Sequence, residues 1–137
     1  MGEYRIIEHT ADIGIYVGGE SLEELFRQGA LGLLAITGTW KPGTPDEQIE
    51  IEVGSHDLPG TFVDWLGEVL YLQDTRDAWI VSVEVSSARA EEVRGRVGLK
   101  KRGKEEFEGT PVKAITYHQL EVEQTEEGWE GHVFFDI

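Results

Sequence analysis

The chain has 137 residues, 39% of them hydrophobic, which suits one globular domain with a sizeable core and excludes a disordered segment. Its 27 acidic against 12 basic residues give a net charge of −15, a field that opposes RNA, DNA and anionic membrane surfaces and favours cations and basic protein surfaces. The absence of cysteine excludes disulfides, thiolate metal sites and cysteine nucleophiles together.

No apolar run approaches a membrane span, and Glu3 and Arg5 interrupt the N-terminus too early for a signal peptide, so the expected address is the cytoplasm. Tyr4 to Glu8 reads as a short strand around Ile6 and Ile7. Ile13, Ile15 and Val17 then alternate on one face of a second strand, with His9 to Asp12 as the turn between. Ser21-Leu-Glu-Glu24 carries a capping-box signature, and Leu22, Leu25, Phe26, Ala30, Leu33 and Leu34 follow at helical spacing until Gly38. Gly29 and Gly32 each weaken this helix by about 1 kcal/mol relative to alanine, which points to close packing against a neighbour.

Ile49, Ile51 and Val53 alternate with glutamates as a half-buried strand. Asp57-Leu-Pro59 starts a second helix whose apolar stripe runs through Phe62, Trp65, Leu66, Val69, Leu70 and Leu72 to about Arg76. Trp79 to Val85 and Val93 to Leu99 read as two further strands, and the basic stretch Lys100 to Glu108 as an exposed tip or loop. Pro111 to Glu123 returns to strand pattern through Val112, Ala114, Thr116, His118, Leu120 and Val122. Glu126-Glu-Gly128 turns the chain into a final strand, Trp129 to Asp136. These elements predict a single α+β domain over residues 1–137, two-layered, with two helices packed on one face of a largely antiparallel sheet.

The last strand ends on a carboxylate, Asp136, followed by Ile137. If its neighbour is the N-terminal hairpin, Asp12, Asp136 and the chain terminus meet. Three anionic groups in one place repel one another unless a cation sits between them. Oxygen donors of this kind suit Ca²⁺, Mg²⁺ or Mn²⁺ and not a soft metal. The plainer reading of Asp12 is a turn carboxylate accepting backbone N–H bonds. His9 and His118 fall into no ligand spacing, and Lys113 and His118 read by spacing as an edge-strand lysine and a packed histidine. No catalytic set emerges: Gly-x-Ser-x-Gly is absent, Ser21 and Ser55 lack a base partner, and Gly18-Gly19 is no phosphate loop.

Five segments in order span the chain: His9-Thr-Ala-Asp-Ile-Gly14, Ser21-Leu-Glu-Glu-Leu-Phe26, Asp64-Trp-Leu-Gly-Glu68, Lys113-Ala-Ile-Thr-Tyr-His118 and Phe135-Asp-Ile137. Together they resemble the archease family, small proteins that assist the RtcB-type RNA ligase. Two departures stand out: Val97-Gly-Leu-Lys100 replaces the family's usual Gly-Glu pair, and Gly67 stands where Asn is more usual, a helix-surface change. The resemblance implies that Asp12, Asp136 and Ile137 bind a divalent cation, Ca²⁺ before Mg²⁺ or Mn²⁺, with Ile137 using main-chain or terminal oxygen. It implies that Asp12 and Lys113 matter for activating the ligase. The implied protein is not an enzyme but a protein cofactor in tRNA splicing and RNA repair. It promotes guanylylation of the ligase's active-site histidine from GTP, and so its multiple turnover, and meets RNA only through the ligase. The competing readings are a stand-alone metal-dependent phosphoester hydrolase, which lacks a legible general base, and a chaperone-like binding module, which would expose apolar surface.

Overall fold

A computed structural model describes residues 2–8 and 12–137, with the backbone alone for Glu8. His9, Thr10 and Ala11 of the predicted turn lie outside the described residues. Strands β1 (Glu3–Glu8) and β2 (Asp12–Gly19) pair antiparallel, followed by α1 (Leu22–Thr37), β3 (Glu47–Val53) and α2 (Leu58–Arg76). Next come β4 (Ala78–Ala88), β5 (Val93–Lys101), β6 (Ala114–Ile115), β7 (Glu121–Thr125) and β8 (Gly128–Asp136).

Both helices begin and end where the sequence signals them. The Ser21 side chain accepts the Glu24 N–H at 3.1 Å, and Gly38 closes α1 in the left-handed region at φ 74°. Asp57 caps α2 by accepting the Gly60 N–H at 2.8 Å, with Pro59 in the first turn, where its missing N–H costs nothing.

The strands form two antiparallel sheets instead of one. The larger runs β1-β2-β8-β6, with β7 also paired to β8; the smaller runs β3-β5-β4. The α+β class, the two helices and the antiparallel pairing agree with the sequence reading, and the division is new. The helices pack on both sheets. Gly32 of α1 lets Ile15 of β2 and Tyr4 of β1 come close, whereas Arg27 on the same helix donates Nε–H to the Val83 carbonyl of β4 at 2.9 Å. Between the helices, the Phe26 and Phe62 rings meet at 5.3 Å, and the fully buried Trp65 donates its indole N–H to the Phe26 carbonyl at 2.8 Å. Burying an indole this deeply is tolerable because its one donor is satisfied.

The continuous strand expected over Pro111 to Glu123 is broken. Only Ala114–Ile115 and Glu121–Thr125 pair with β8; between them Gln119 adopts φ 51° and Leu120 donates its N–H to the Tyr117 carbonyl at 3.2 Å. Thr116 Oγ1 accepts the His118 N–H at 3.3 Å, a local bond that competes with a ladder. Val112 is buried and Ile115, Thr116, Leu120 and Val122 are partly buried, so the period-two set holds at Val112, Thr116, Leu120 and Val122 and fails at Ala114 and His118, which are exposed.

Two glycines in the helices give opposite expectations for one substitution. A Cβ at Gly29 would sit 2.7 Å from the Phe62 ring, whereas one at Gly67 meets nothing within 4 Å. Gly67→Ala should therefore stabilise by about 0.5–1 kcal/mol through helix propensity. Gly29→Ala should destabilise by about 1 kcal/mol, because overpacking exceeds the same propensity gain. Urea denaturation of the two variants checks both signs.

Candidate functional site

Strand β8 is central in the larger sheet, with β2 on one side and β6 and β7 on the other. Its register places Asp136 directly opposite Asp12 of β2 and, across the other edge, opposite Ala114 of β6. The next row, Ile13, Phe135 and Ile115, turns into the core, where Ile13 and Phe135 are buried. Side chains alternate across a sheet, so Asp12 and Asp136 share the opposite face. Directly opposed residues hold their Cβ atoms about 4.5–5.5 Å apart, and like charges so placed destabilise the pair. Asp12 is half-buried and Asp136 exposed; among the described residues neither has a cationic side chain within salt-bridge distance.

Lys113 immediately precedes β6, and its backbone N–H donates to the Asp136 carbonyl at 2.8 Å. This bond fixes the main chain of Lys113 to the residue carrying the second carboxylate, while its side chain is exposed. The structure thus brings Asp12, Asp136 and Lys113 into one neighbourhood, with Ile137 next in sequence and 40% exposed. The donor chemistry fits a hard cation: two carboxylates side by side and no thiolate or imidazole among them. Among the described residues no group of three or more His, Asp or Glu side chains is placed to hold a metal ion. His9 lies outside the described residues.

The same sheet face carries Tyr16, His132 and Phe134, which the sequence did not single out, beside His118, which it did. Tyr16 donates its hydroxyl to Glu130 at 2.6 Å, a bond that raises the phenol above its ordinary pKa, and the Arg5 guanidinium lies 4.5 Å from the Tyr16 ring centroid. The rings of His118 and His132 flank Phe134 at 6.0 and 6.4 Å, and Phe134 itself lies over Gly14, where a Cβ would come within 2.7 Å of the ring. The signal for this face was the alternation of Tyr16 with Ile15 and Val17, readable only once β8 is known to lie beside β2.

Residues 4–137 match the model of the archease protein family (MTH1598/TM1083). The chain belongs to the archease family. It is 35% identical to an archease of Methanosarcina mazei, over 98% of this chain and 96% of that one. An archease of Archaeoglobus fulgidus is 36% identical, covering 98% and 99% of the two chains. A crystal structure of a Thermotoga maritima archease, described as a possible chaperone, aligns with TM-score 0.67 at 27% identity over 96% of this chain and 94% of that chain. The solution structure of Methanobacterium thermoautotrophicum protein 1598 shares the fold with TM-score 0.72 at 22% identity, over 98% of both chains.

The opposed carboxylates make a direct prediction. In EDTA at low salt and neutral pH, Asp136→Asn should raise stability by up to about 1 kcal/mol by removing the like-charge contact with Asp12. Thermal melts of this archease and the variant, in matched chelator, read the sign.

Proposed function

We propose that this archease activates an RtcB-type RNA ligase, promoting guanylylation of the ligase and its repeated turnover. The observation that carries the reading is the direct pairing of Asp12 with Asp136, next to the Lys113 backbone that bonds Asp136. On this reading Asp12, Asp136 and the main-chain oxygen of Ile137 hold a divalent cation, Ca²⁺ first, with Mg²⁺ or Mn²⁺ as substitutes. A bound cation supplies positive charge that attracts phosphate oxygens, and Lys113 adds a point charge beside it. Three protein oxygens leave a six- to eight-coordinate Ca²⁺ with open positions, which water or oxygens of the docked ligase would fill.

The charge of the chain supports a protein partner in preference to RNA. At −15 it repels a polyribonucleotide, so the ligase makes the RNA contacts. The local basic stretch does not alter this, since it is small against that field and its Arg102 is held by Asp77 at 2.9 Å. The reading assigns no catalytic residue to the archease itself, and the cytoplasm is where such a partner would be met. No helix is long and apolar enough to cross a membrane among the described residues.

The test is guanylylation and multiple-turnover ligation by a cognate RtcB-type ligase, with this archease at substoichiometric concentration. Both rates should rise at least tenfold, and Asp12→Ala or Lys113→Ala should remove most of that rise while leaving the protein folded. A folded, Ca²⁺-loaded sample that leaves both rates unchanged would overturn the activator reading.

The cation is tested apart from the ligase. At a hundredfold excess over its Kd, a ligand that binds only the native state stabilises by about 2.7 kcal/mol, a Tm rise on the order of 10 °C for a chain of this size. Titration of Ca²⁺ into chelator-treated protein should produce that rise, and Asp136→Asn should lose most of it. A Tm indifferent to Ca²⁺, Mg²⁺ and Mn²⁺ would refute the metal assignment.

A further inference from the structure

A groove of about 590 Å³ lies along the outer side of α2, away from Asp12 and Tyr16. Ala114 and Ile115 of β6 form one wall, and the end of β3, at Val53 and Gly54, closes another side. Its floor is Val63, Gly67 and Leu70 of the helix, with Asp64 and Glu68 also lining it.

The β6 wall has an open backbone edge. Strand β6 ends the path of the larger sheet and pairs with β8 on one side. Thr116 directs its N–H to the Phe134 carbonyl at 3.0 Å, and in an antiparallel ladder consecutive residues alternate in direction, so the N–H and C=O of Ile115 face away from β8. Those groups form a template for one more strand. No Cα of β3 comes within 8 Å of β6, so the smaller sheet does not fill the position. Gly67, half-exposed and with nothing within 4 Å of a built Cβ, leaves the helix surface low where a backbone would pass.

We propose that this groove receives an extended, basic segment of a partner protein as an added strand on β6. Main-chain bonds to Ile115 require the extended form, and Val63, Leu70 and Ile115 accept apolar side chains at alternate positions. Asp64 and Glu68 stand at i and i+4 on one helix face, half-buried, and form no ion pair with another described residue, so they select lysine or arginine. A second copy of the chain is a poor occupant because it carries the same −15 charge. The chain's own basic stretch is held elsewhere, with Arg102 on Asp77. The inference holds whether or not the partner is an RNA ligase.

The probe is the acetylated and amidated peptide Lys-Thr-Val-Thr-Val-Thr-Arg, whose basic and valine side chains share the face toward α2, titrated into the ¹⁵N-labelled full chain at low salt. Saturable shifts should centre on the amides of Gly54, Gly67 and Ile115, and exchange of the Ile115 amide should slow at least tenfold. Gly67→Leu, whose Cβ meets nothing within 4 Å and whose side chain projects into the groove, should weaken binding at least tenfold with no fall in Tm. Asp64→Asn with Glu68→Gln should weaken it similarly, and a peptide with glutamates in place of its two basic residues should not bind. The proposal is overturned by any of three results: no saturable shift, unchanged exchange at Ile115 or full binding by Gly67→Leu. A concentration-dependent dimer that protects the Ile115 amide without peptide would make a second copy the occupant and overturn it too.

Discussion

The structure depends on β8 lying in the middle of its sheet. This strand pairs with residues 12–19 on one side and with 114–115 and 121–125 on the other, so it joins segments more than a hundred residues apart in sequence. Its inward residues Val133 and Phe135 are fully buried, and they fix the register, because a slip of one position would turn them to solvent and Asp136 into the core. The register that buries Phe135 is the same register that sets Asp136 against Asp12. The carboxylate pair is thus held in place by apolar burial one row away, and its electrostatic cost is met by packing that has nothing to do with charge.

That division of labour explains which features were legible in the sequence. Local signals act within a few residues: Ser21 before Leu22, Gly38 after Thr37, and Asp57 with Pro59 at the second helix all stand where the elements begin or end. Gly29 and Gly32 were readable as contact points because a helix tolerates glycine only where something gains from its absence of side chain, and Phe62 and Ile15 are the neighbours. Alternation, by contrast, reports which face of a strand is buried and says nothing about which strand lies beside it. The division into two sheets could not be read from Ile49, Ile51 and Val53 for that reason. Between Pro111 and Glu123 the apolar spacing imitated a strand, but the left-handed Gln119 and the Thr116 side chain decided the local path. The pairing of Asp12 with Asp136 was inferable only because the last strand needed a neighbour; the groove beside Gly67 left no sequence signal beyond a glycine in mid-helix.

Charge is distributed so that the negative field survives at the surface. Six of the basic side chains, Lys41, Arg76, Arg89, Arg94, Arg96 and Arg102, each meet a nearby carboxylate on the protein's exterior. Exposed pairs of this kind contribute little stability, but each offsets a positive charge that a polyanion would otherwise meet. Lys113 is among the basic residues that form no ion pair with another described residue, and its main chain is bonded to that of Asp136. An exposed, unpaired cation beside two opposed carboxylates leaves a small region of mixed sign within an acidic surface, which suits recognition of a charged partner better than simple solubility does.

The shortest strand lies between the two candidate sites. β6 is two residues long, so few hydrogen bonds hold it to β8, and an edge of that size opens at lower free energy than the buried strands around it. On the two readings proposed above, a cation on Asp12 and Asp136 would stiffen β8 at the residue opposite Ala114, and a strand added along Ile115 would hold the same two residues from the outer side. Each ligand would bind the closed β6–β8 arrangement better than the frayed one. By linkage, each must then strengthen the other's binding by the same factor, up to the free energy of closing β6. The coupling needs no movement of the core, since Phe135 and Ile13 stay buried in either state; a frayed edge of two residues, with Lys113 attached to it, is a sufficient two-state element.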